Sequence, residues 1–203
     1  RASILLGINA GFGAADCGRL RANNIDFVAG WYDLPRRKTA IPRRFFVWTE
    51  TRAAIQDAMA QQPVAKSEDD DELCFLTAHG NPVWRAHASG SISDRVGRAF
   101  FAICRKLELH KPGRSFYSLR RTFETVAGNT KDQIAVNYAM GHSDESMAAV
   151  YRQGIEDQRL IDVAEHVRKW LWTRDCFGCG EAQFSAADEW TCESCGETNS
   201  AVG

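Results

Sequence analysis

Residues 115–152 read SFYSLRRTFETVAGNTKDQIAVNYAMGHSDESMAAVYR. Gly128-Asn129 and Gly141 divide this stretch into three short helical blocks, because glycine and asparagine end helices more readily than they continue them. Each block carries one polar side chain suited to phosphoryl transfer: Arg120 in YSLRR, His142 in MGHSD and Tyr151 in AVYR. His142 follows Arg120 by 22 residues and Tyr151 follows His142 by nine. Exchange of a phosphodiester needs a nucleophile, a proton donor for the leaving oxygen, and cations over the non-bridging oxygens, where charge builds in the transition state. A tyrosine phenol can hold a covalent phosphate, and the planar fork of an arginine fits two phosphate oxygens at once. A histidine donates a hydrogen bond or shuttles a proton near neutral pH. Singly, each has an ordinary structural reading: a helical arginine is a surface cation, Gly-His a helix C-terminus, and a tyrosine at helical spacing from Met147 a core residue.

Outward from that stretch, 203 residues give room for one core and a small appendage. An apolar content of 44% with 25% charged residues is that of an ordinary globular protein. No run of about 18 apolar residues predicts a membrane span and the start is not signal-like, so a cytoplasmic protein with no membrane partner is expected. Because the chain opens with Arg1 and passes directly into Ile4-Leu5-Leu6, an N-terminal portion is expected to be missing. The net charge of -1 hides a split. From residue 174 onward Arg174 stands against Asp175, Glu181, Asp188, Glu189, Glu193 and Glu197, which leaves the preceding residues modestly basic. Two basic clusters, Arg36, Arg37, Lys38, Arg43 and Arg44, then Arg105, Lys106, Lys111, Arg114, Arg120 and Arg121, are suited to neutralising phosphates, although a solvated face reads the same way.

Residues 2–10 read as a buried helix broken at Gly11-Phe12-Gly13, with a second short helix to about Arg21. A hairpin follows, IDFV and WYDL around Ala29-Gly30, then PRRKTAIP and a third strand, RRFFVW. Thr49 is the expected N-cap of a helix through about Gln61. After an acidic loop, LCFL (73–76) reads as a strand, and a long helix is expected from about Ser91 to Leu107, with Ile92, Val96, Ile103 and Leu107 as its core-facing stripe. A last helix runs from about Glu156 to Trp172.

At Thr173 the composition changes. Cys176-Phe-Gly-Cys179-Gly and Cys192-Glu-Ser-Cys195-Gly are two CxxCG knuckles twelve residues apart, a spacing that lets four thiolates meet tetrahedrally around one ion. A segment of about thirty residues cannot build a sufficient apolar core, so a structural zinc would supply its folding energy. Iron in a rubredoxin-like site fits the same ligands. Two disulfides do not fit a reducing compartment. Cys17, Cys74 and Cys104 read as buried hydrophobes.

The Arg120, Gly141-His142 and Tyr151 pattern resembles the tyrosine recombinase (phage integrase) family, and the resemblance covers residues 2–172. GFGAADCGRLRANNID falls where the family carries its first box, and Lys38-Thr39 falls at its hairpin lysine. The resemblance implies an α+β, mainly helical catalytic domain with a small antiparallel sheet over 1–172, followed by a zinc-ribbon-like module over 173–203. It implies site-specific DNA cleavage and rejoining, with Tyr151 as the nucleophile that forms a 3'-phosphotyrosine bond. Arg120 would clamp the scissile phosphate, His142 would support the transition state, and Lys38 would protonate the leaving 5' oxygen. Arg36, Arg37, Arg43, Arg44 and Arg121 would contact double-stranded DNA, on which the protein would act as a homo-oligomer without a catalytic metal. The ribbon would dock a neighbouring protomer or a partner. Two positions depart from the family pattern. The first-box arginine is Gly13, and the histidine three residues before Arg120 is Tyr117, whose hydroxyl can still donate one hydrogen bond. A transition-state donor is worth about 3 kcal/mol. Either another cation replaces it, Arg37 first and then Arg19 or Arg114, or the chain binds DNA without cutting it, or acts chiefly as an interaction module.

Overall fold

The computed structural model describes residues 1–38, 40–142 and 155–200. Helix α1 (Ala2–Ala10) is apolar nearly all round and is packed chiefly against α3 (Thr49–Gln61), α5 (Tyr117–Gly128) and α7 (Asp157–Trp172). A helix hydrophobic on every side must be enclosed in this way. Asn9 is the polar residue that α1 carries into that core. Its amide donates to Phe46 O (3.0 Å) and its carbonyl accepts from Trp48 N (3.0 Å), so the helix is stitched to the neighbouring strand and both ends of the buried amide are paired.

Strands β1 (Ile25–Asp26), β2 (Trp31–Asp33) and β3 (Arg44–Phe46) form an antiparallel sheet as the alternation predicts. The register sets Ile25 opposite Tyr32 and Tyr32 opposite Phe45, and these three are the buried face. Trp31 and Phe46 meet edge to face on the other side. Beyond the strands the same hairpin continues as an arm, closed by Leu34 N to Arg43 O (3.0 Å) and Arg36 N to Ile41 O (3.0 Å), with Lys38 exposed near its tip.

Four expectations change. Thr49 is the first residue of α3 and its side chain does not cap the helix; Trp48 holds the cap position, its indole fixed by Nε1 donating to Ala164 O (2.9 Å). LCFL makes only isolated bridges, Arg21 with Leu73 and Leu76 with Pro82. The long helix starts later, as α4 (Arg95–Lys106), because Ile92–Asp94 is a strand, β5, paired with β4 (Trp84–Ala86). Asp94 then caps α4 by accepting from Gly97 N (2.7 Å). The proposed core stripe of this helix fails as well: Val96 is buried, but Ile92, Ile103 and Leu107 are 57%, 43% and 58% exposed. Helix α4 packs chiefly on the short helix α2 (Ala14–Arg19), which covers only part of it.

The tail is two hairpins, β6 (Thr173–Asp175) with β7 (Ala182–Phe184) and β8 (Glu189–Thr191) with β9 (Thr198–Ser200). It is joined to the helical body where Ser185 N donates to Trp172 O (3.0 Å), Phe184 lies under the Arg168 guanidinium (4.9 Å), and Trp172 packs on Trp48.

Candidate active site

Two glycine-terminated helix ends meet at one arginine. Helix α1 stops at Gly11, whose φ of 63° is the left-handed conformation in which glycine is unstrained. Helix α6 (Gln133–Met140) stops the same way at Gly141, φ 62°, with Gly141 N donating to Tyr138 O and His142 N to Asn137 O (both 3.0 Å). This paired closure fixes the chain direction immediately before His142. Arg120, on the buried side of α5, donates through Nη1 to Gly11 O (2.6 Å) and through Nη2 to Met140 O (2.7 Å). The guanidinium thus sits on carbonyls at two helix C-termini, where the aligned peptide dipoles favour a cation. Only 3% of Arg120 is exposed, so its orientation is set before any ligand arrives.

His142 Nε2 lies 3.4 Å from Arg120 Nη2. Partial burial first, then the Arg120 and Arg36 guanidiniums, lower the imidazole below its ordinary pKa, against a smaller opposing effect of Glu124. The ring is therefore neutral at pH 7 and can accept as well as donate. Burial, then Arg36 and Arg43, likewise lower Arg120.

The other expected residues divide. Arg36 lies against this site, with Nη1 donating to Gly141 O (3.3 Å). Lys38 is exposed on the same arm. Arg37 is turned over the Trp84 ring (5.0 Å to its centre), away from the role of replacement cation. Arg114 donates to Leu109 O (2.7 Å) and Arg19 buries one terminal nitrogen beside α2. Tyr117 is half exposed, stacked with Arg121 (5.5 Å), in a cleft with Arg98, Phe101 and Arg114. Arg44 pairs with Asp157 and lies over Trp31 (3.9 Å). Arg43 is a correction. Expected on the DNA surface, its side chain is fully buried, ion-paired with Asp16 (3.1 Å), bonded to Leu34 O and flanked by the Phe12 and Tyr32 rings. It is withdrawn from phosphate contact because strand alternation turns residues 43, 45 and 47 inward together. Tyr151 lies outside the described residues.

In the tail, the sulfur atoms of Cys176, Cys179, Cys192 and Cys195 all lie within 4.8 Å of one another. The Cys176–Cys195 and Cys179–Cys192 separations are 3.6 and 3.7 Å. A tetrahedron with metal–sulfur bonds of about 2.3 Å has edges of about 3.8 Å, so four thiolates in this arrangement could hold one metal ion. Backbone N–H donation, from Cys179 foremost, then the Asn199 amide and the Gly178 N–H, pulls the Cys176 thiol down to about 6 against its desolvation. Cys17, Cys74 and Cys104 are buried, as expected; desolvation raises the Cys74 thiol to about 12.

The model of the phage integrase family matches residues 1–157. No curated protein matches the chain. Among solved structures it is similar to the Tn1549 transposon integrase in complex with a circular intermediate DNA, with a TM-score of 0.58 and 17% identity over 82% of this chain and 58% of that one. It is also similar to the XerA recombinase (TM-score 0.54, 15% identity, 82% and 57%) and to the XerH site-specific recombinase bound to a difH substrate before cleavage (0.55, 15%, 81% and 45%). The chain spans little more than half the length of the first two and less than half of the third. At these identities the likeness is one of fold. The family assignment rests on the match over residues 1–157: the chain belongs to the phage integrase family, the tyrosine recombinases.

Proposed function

We propose that this chain carries the catalytic domain of a site-specific DNA recombinase that cuts and rejoins strands through a tyrosine-linked intermediate. The observation behind this reading is Arg120, a buried guanidinium held by two helix-end carbonyls beside the His142 ring. Asp16, the carboxylate whose charge favours the Arg120 cation, is ion-paired with Arg43 instead, and this reading gives Arg120 a phosphate as its anion. In the reaction the Tyr151 oxygen attacks the scissile phosphorus as the bond to the 5' oxygen breaks. The phenolic proton passes to solvent, Lys38 protonates the leaving oxygen, and Arg120 with His142 meets the charge on the non-bridging oxygens. The bond energy stays in the phosphotyrosine, so a 5' hydroxyl can rejoin the strand with no external energy source. Relatives solved on DNA favour double-stranded DNA as the partner.

The test is covalent trapping. The protein and its Tyr151→Phe variant are incubated with DNA from around its own gene, and an adduct that survives denaturation is sought. An adduct with the parent alone is expected. Intact DNA binding with no adduct would leave the chain a degenerate binder, the reading that Gly13 favours.

Residues 173–203 are read as a zinc ribbon, with Cys176, Cys179, Cys192 and Cys195 as the ligands. The sulfur separations fit that ion, and four protein ligands leave it no open position for catalysis. Assembly as a homo-oligomer on DNA, with the ribbon docking a neighbour, belongs to the same reading. Unchanged assembly after deletion of residues 174–203 would remove the ribbon from it.

A further inference from the structure

We propose that Arg36 is the second guanidinium of the phosphate site, supplying from the β2–β3 arm a charge that position 13 has no side chain to provide. This rests on the strand-transfer reading above. Arg36 Nη1 donates to Gly141 O (3.3 Å), the carbonyl next to Met140 O, which Arg120 Nη2 holds, and next before His142. Two guanidiniums and an imidazole therefore meet around a single turn. The bare α-carbon of Gly141 permits this approach, since a Cβ there would stand 3.1 Å from Arg36 Cβ.

Among the described residues the acids near this turn are Asp16 and Glu124, and neither is ion-paired with its guanidiniums. Asp16, the acid interacting with both Arg120 and Arg43, is committed to Arg43 and to the Gly13 N–H (2.9 Å). Among the described residues no carboxylate is ion-paired with Arg36 or Arg120. Each guanidinium lies close enough to disfavour the charge of its neighbours, as the lowered Arg120 and His142 both register. Like charges gathered in a partly desolvated place are relieved by an anion. A phosphodiester is one with two oxygens to share between two planar forks. Arg36 spends one of its donors on Gly141 O, and among the described residues the rest of its fork has no hydrogen-bond partner. The other basic candidates are engaged elsewhere: Arg37 with Trp84, Arg114 with Leu109 O and Arg43 with Asp16.

Two measurements test this on the parent, Arg36→Ala, Arg36→Lys, and Arg36→Ala combined with Gly13→Arg. Titration with inorganic phosphate is followed by NMR of the His142 ring. Phosphate should shift the parent's signals, with affinity about tenfold weaker in Arg36→Ala and intermediate in Arg36→Lys. A parent that does not respond, or an alanine variant that binds equally well, overturns the assignment. Covalent trapping on DNA from around the gene should slow about a hundredfold in Arg36→Ala. It should recover at least tenfold when Gly13→Arg is added, a substitution with room because the nearest atom to a Cβ there is Asp16 Oδ2 at 3.6 Å. A merely structural Arg36 would not be rescued from position 13, and an undiminished adduct in Arg36→Ala also sinks the idea. Arg36-dependent phosphate binding without any parent adduct removes strand transfer while keeping the phosphate site.

Discussion

At the scale of single residues, the Asp16–Arg43 pair shapes the site without facing its ligand. The Arg43 side chain is wholly buried and that of Asp16 12% exposed. Desolvating two charges nearly cancels their attraction, so the pair adds little net stability; removing one partner, however, strands the other. Asp16→Ala should therefore cost about 3–5 kcal/mol in urea unfolding. Adding Arg43→Met to it should restore most of that loss, because the remaining side chain is then apolar among Phe12 and Tyr32. If the double variant is as unstable as the sum of the singles, the buried-charge account is wrong. Composition placed Arg43 with the surface cations because PRRKTAIPRR reads as one basic run. The signal that separates it is the alternation of Arg43, Phe45 and Val47, which a count of charges does not see. By contrast Arg120 and His142 were legible, since a helix-ending glycine before a histidine fixes local geometry through backbone bonds alone. That Arg36, and not its neighbour Arg37, reaches Gly141 depends on the twist of the arm and has no counterpart in the linear sequence.

At the scale of elements, the site depends on where α6 begins and α7 returns. Asp132 caps α6 by accepting from Ala135 N (3.1 Å) and takes a two-pronged contact from Arg159 near the start of α7 (2.7 and 2.6 Å). Hydrogen bonding from Arg159, and after that the backbone N–H of Ala135, hold this carboxyl below its ordinary range despite its desolvation. Its stabilising effect is complete above the unfolded carboxylate pKa, about 4, and disappears as pH falls through the lower folded value. Asp132→Ala should cost about 1–2 kcal/mol at pH 7, the sum of a cap and a half-exposed ion pair. Asp132→Asn, which keeps a capping oxygen, should cost less. Thermal melts of parent and Asp132→Asn should converge as the pH is lowered toward 2. A gap that persists there would show that the charge is not what matters. Among the described residues, helix existence was readable at this scale from periodicity and glycine stops, although the cap expected at Thr49 was not found. Helix coverage was not. Ile103 and Leu107 have the spacing of a core stripe, and whether another element lies over them depends on contacts distant in sequence.

At the scale of the whole molecule, the helical body and the acidic tail are stabilised by different means. The body encloses a continuous apolar cluster running from Leu6 and Phe12 through Phe45 and Phe123 to Val167. In the tail, by contrast, the buried residues past Trp172 among those described are Cys176, Cys192 and Asn199, and Asn199 is spent on the cysteine knuckle, accepting from Phe177 N and donating toward Cys176 Sγ. Three buried residues cannot offset the entropy of ordering two hairpins, at about 1–2 kcal/mol per residue, and in the ribbon reading proposed above a bound metal would supply the difference. One zinc per chain is expected by elemental analysis. Removing it with a chelator should abolish amide-exchange protection over residues 173–200, and Cys192→Ser should do the same without a chelator. Protection of α1 and α5, packed far inside the body, should be unchanged by either treatment. Protection of the hairpins that survived metal loss would mean the tail folds by its contacts with Trp172 and Arg168 instead. Loss of protection in α1 as well would mean that the body depends on the ribbon for its stability.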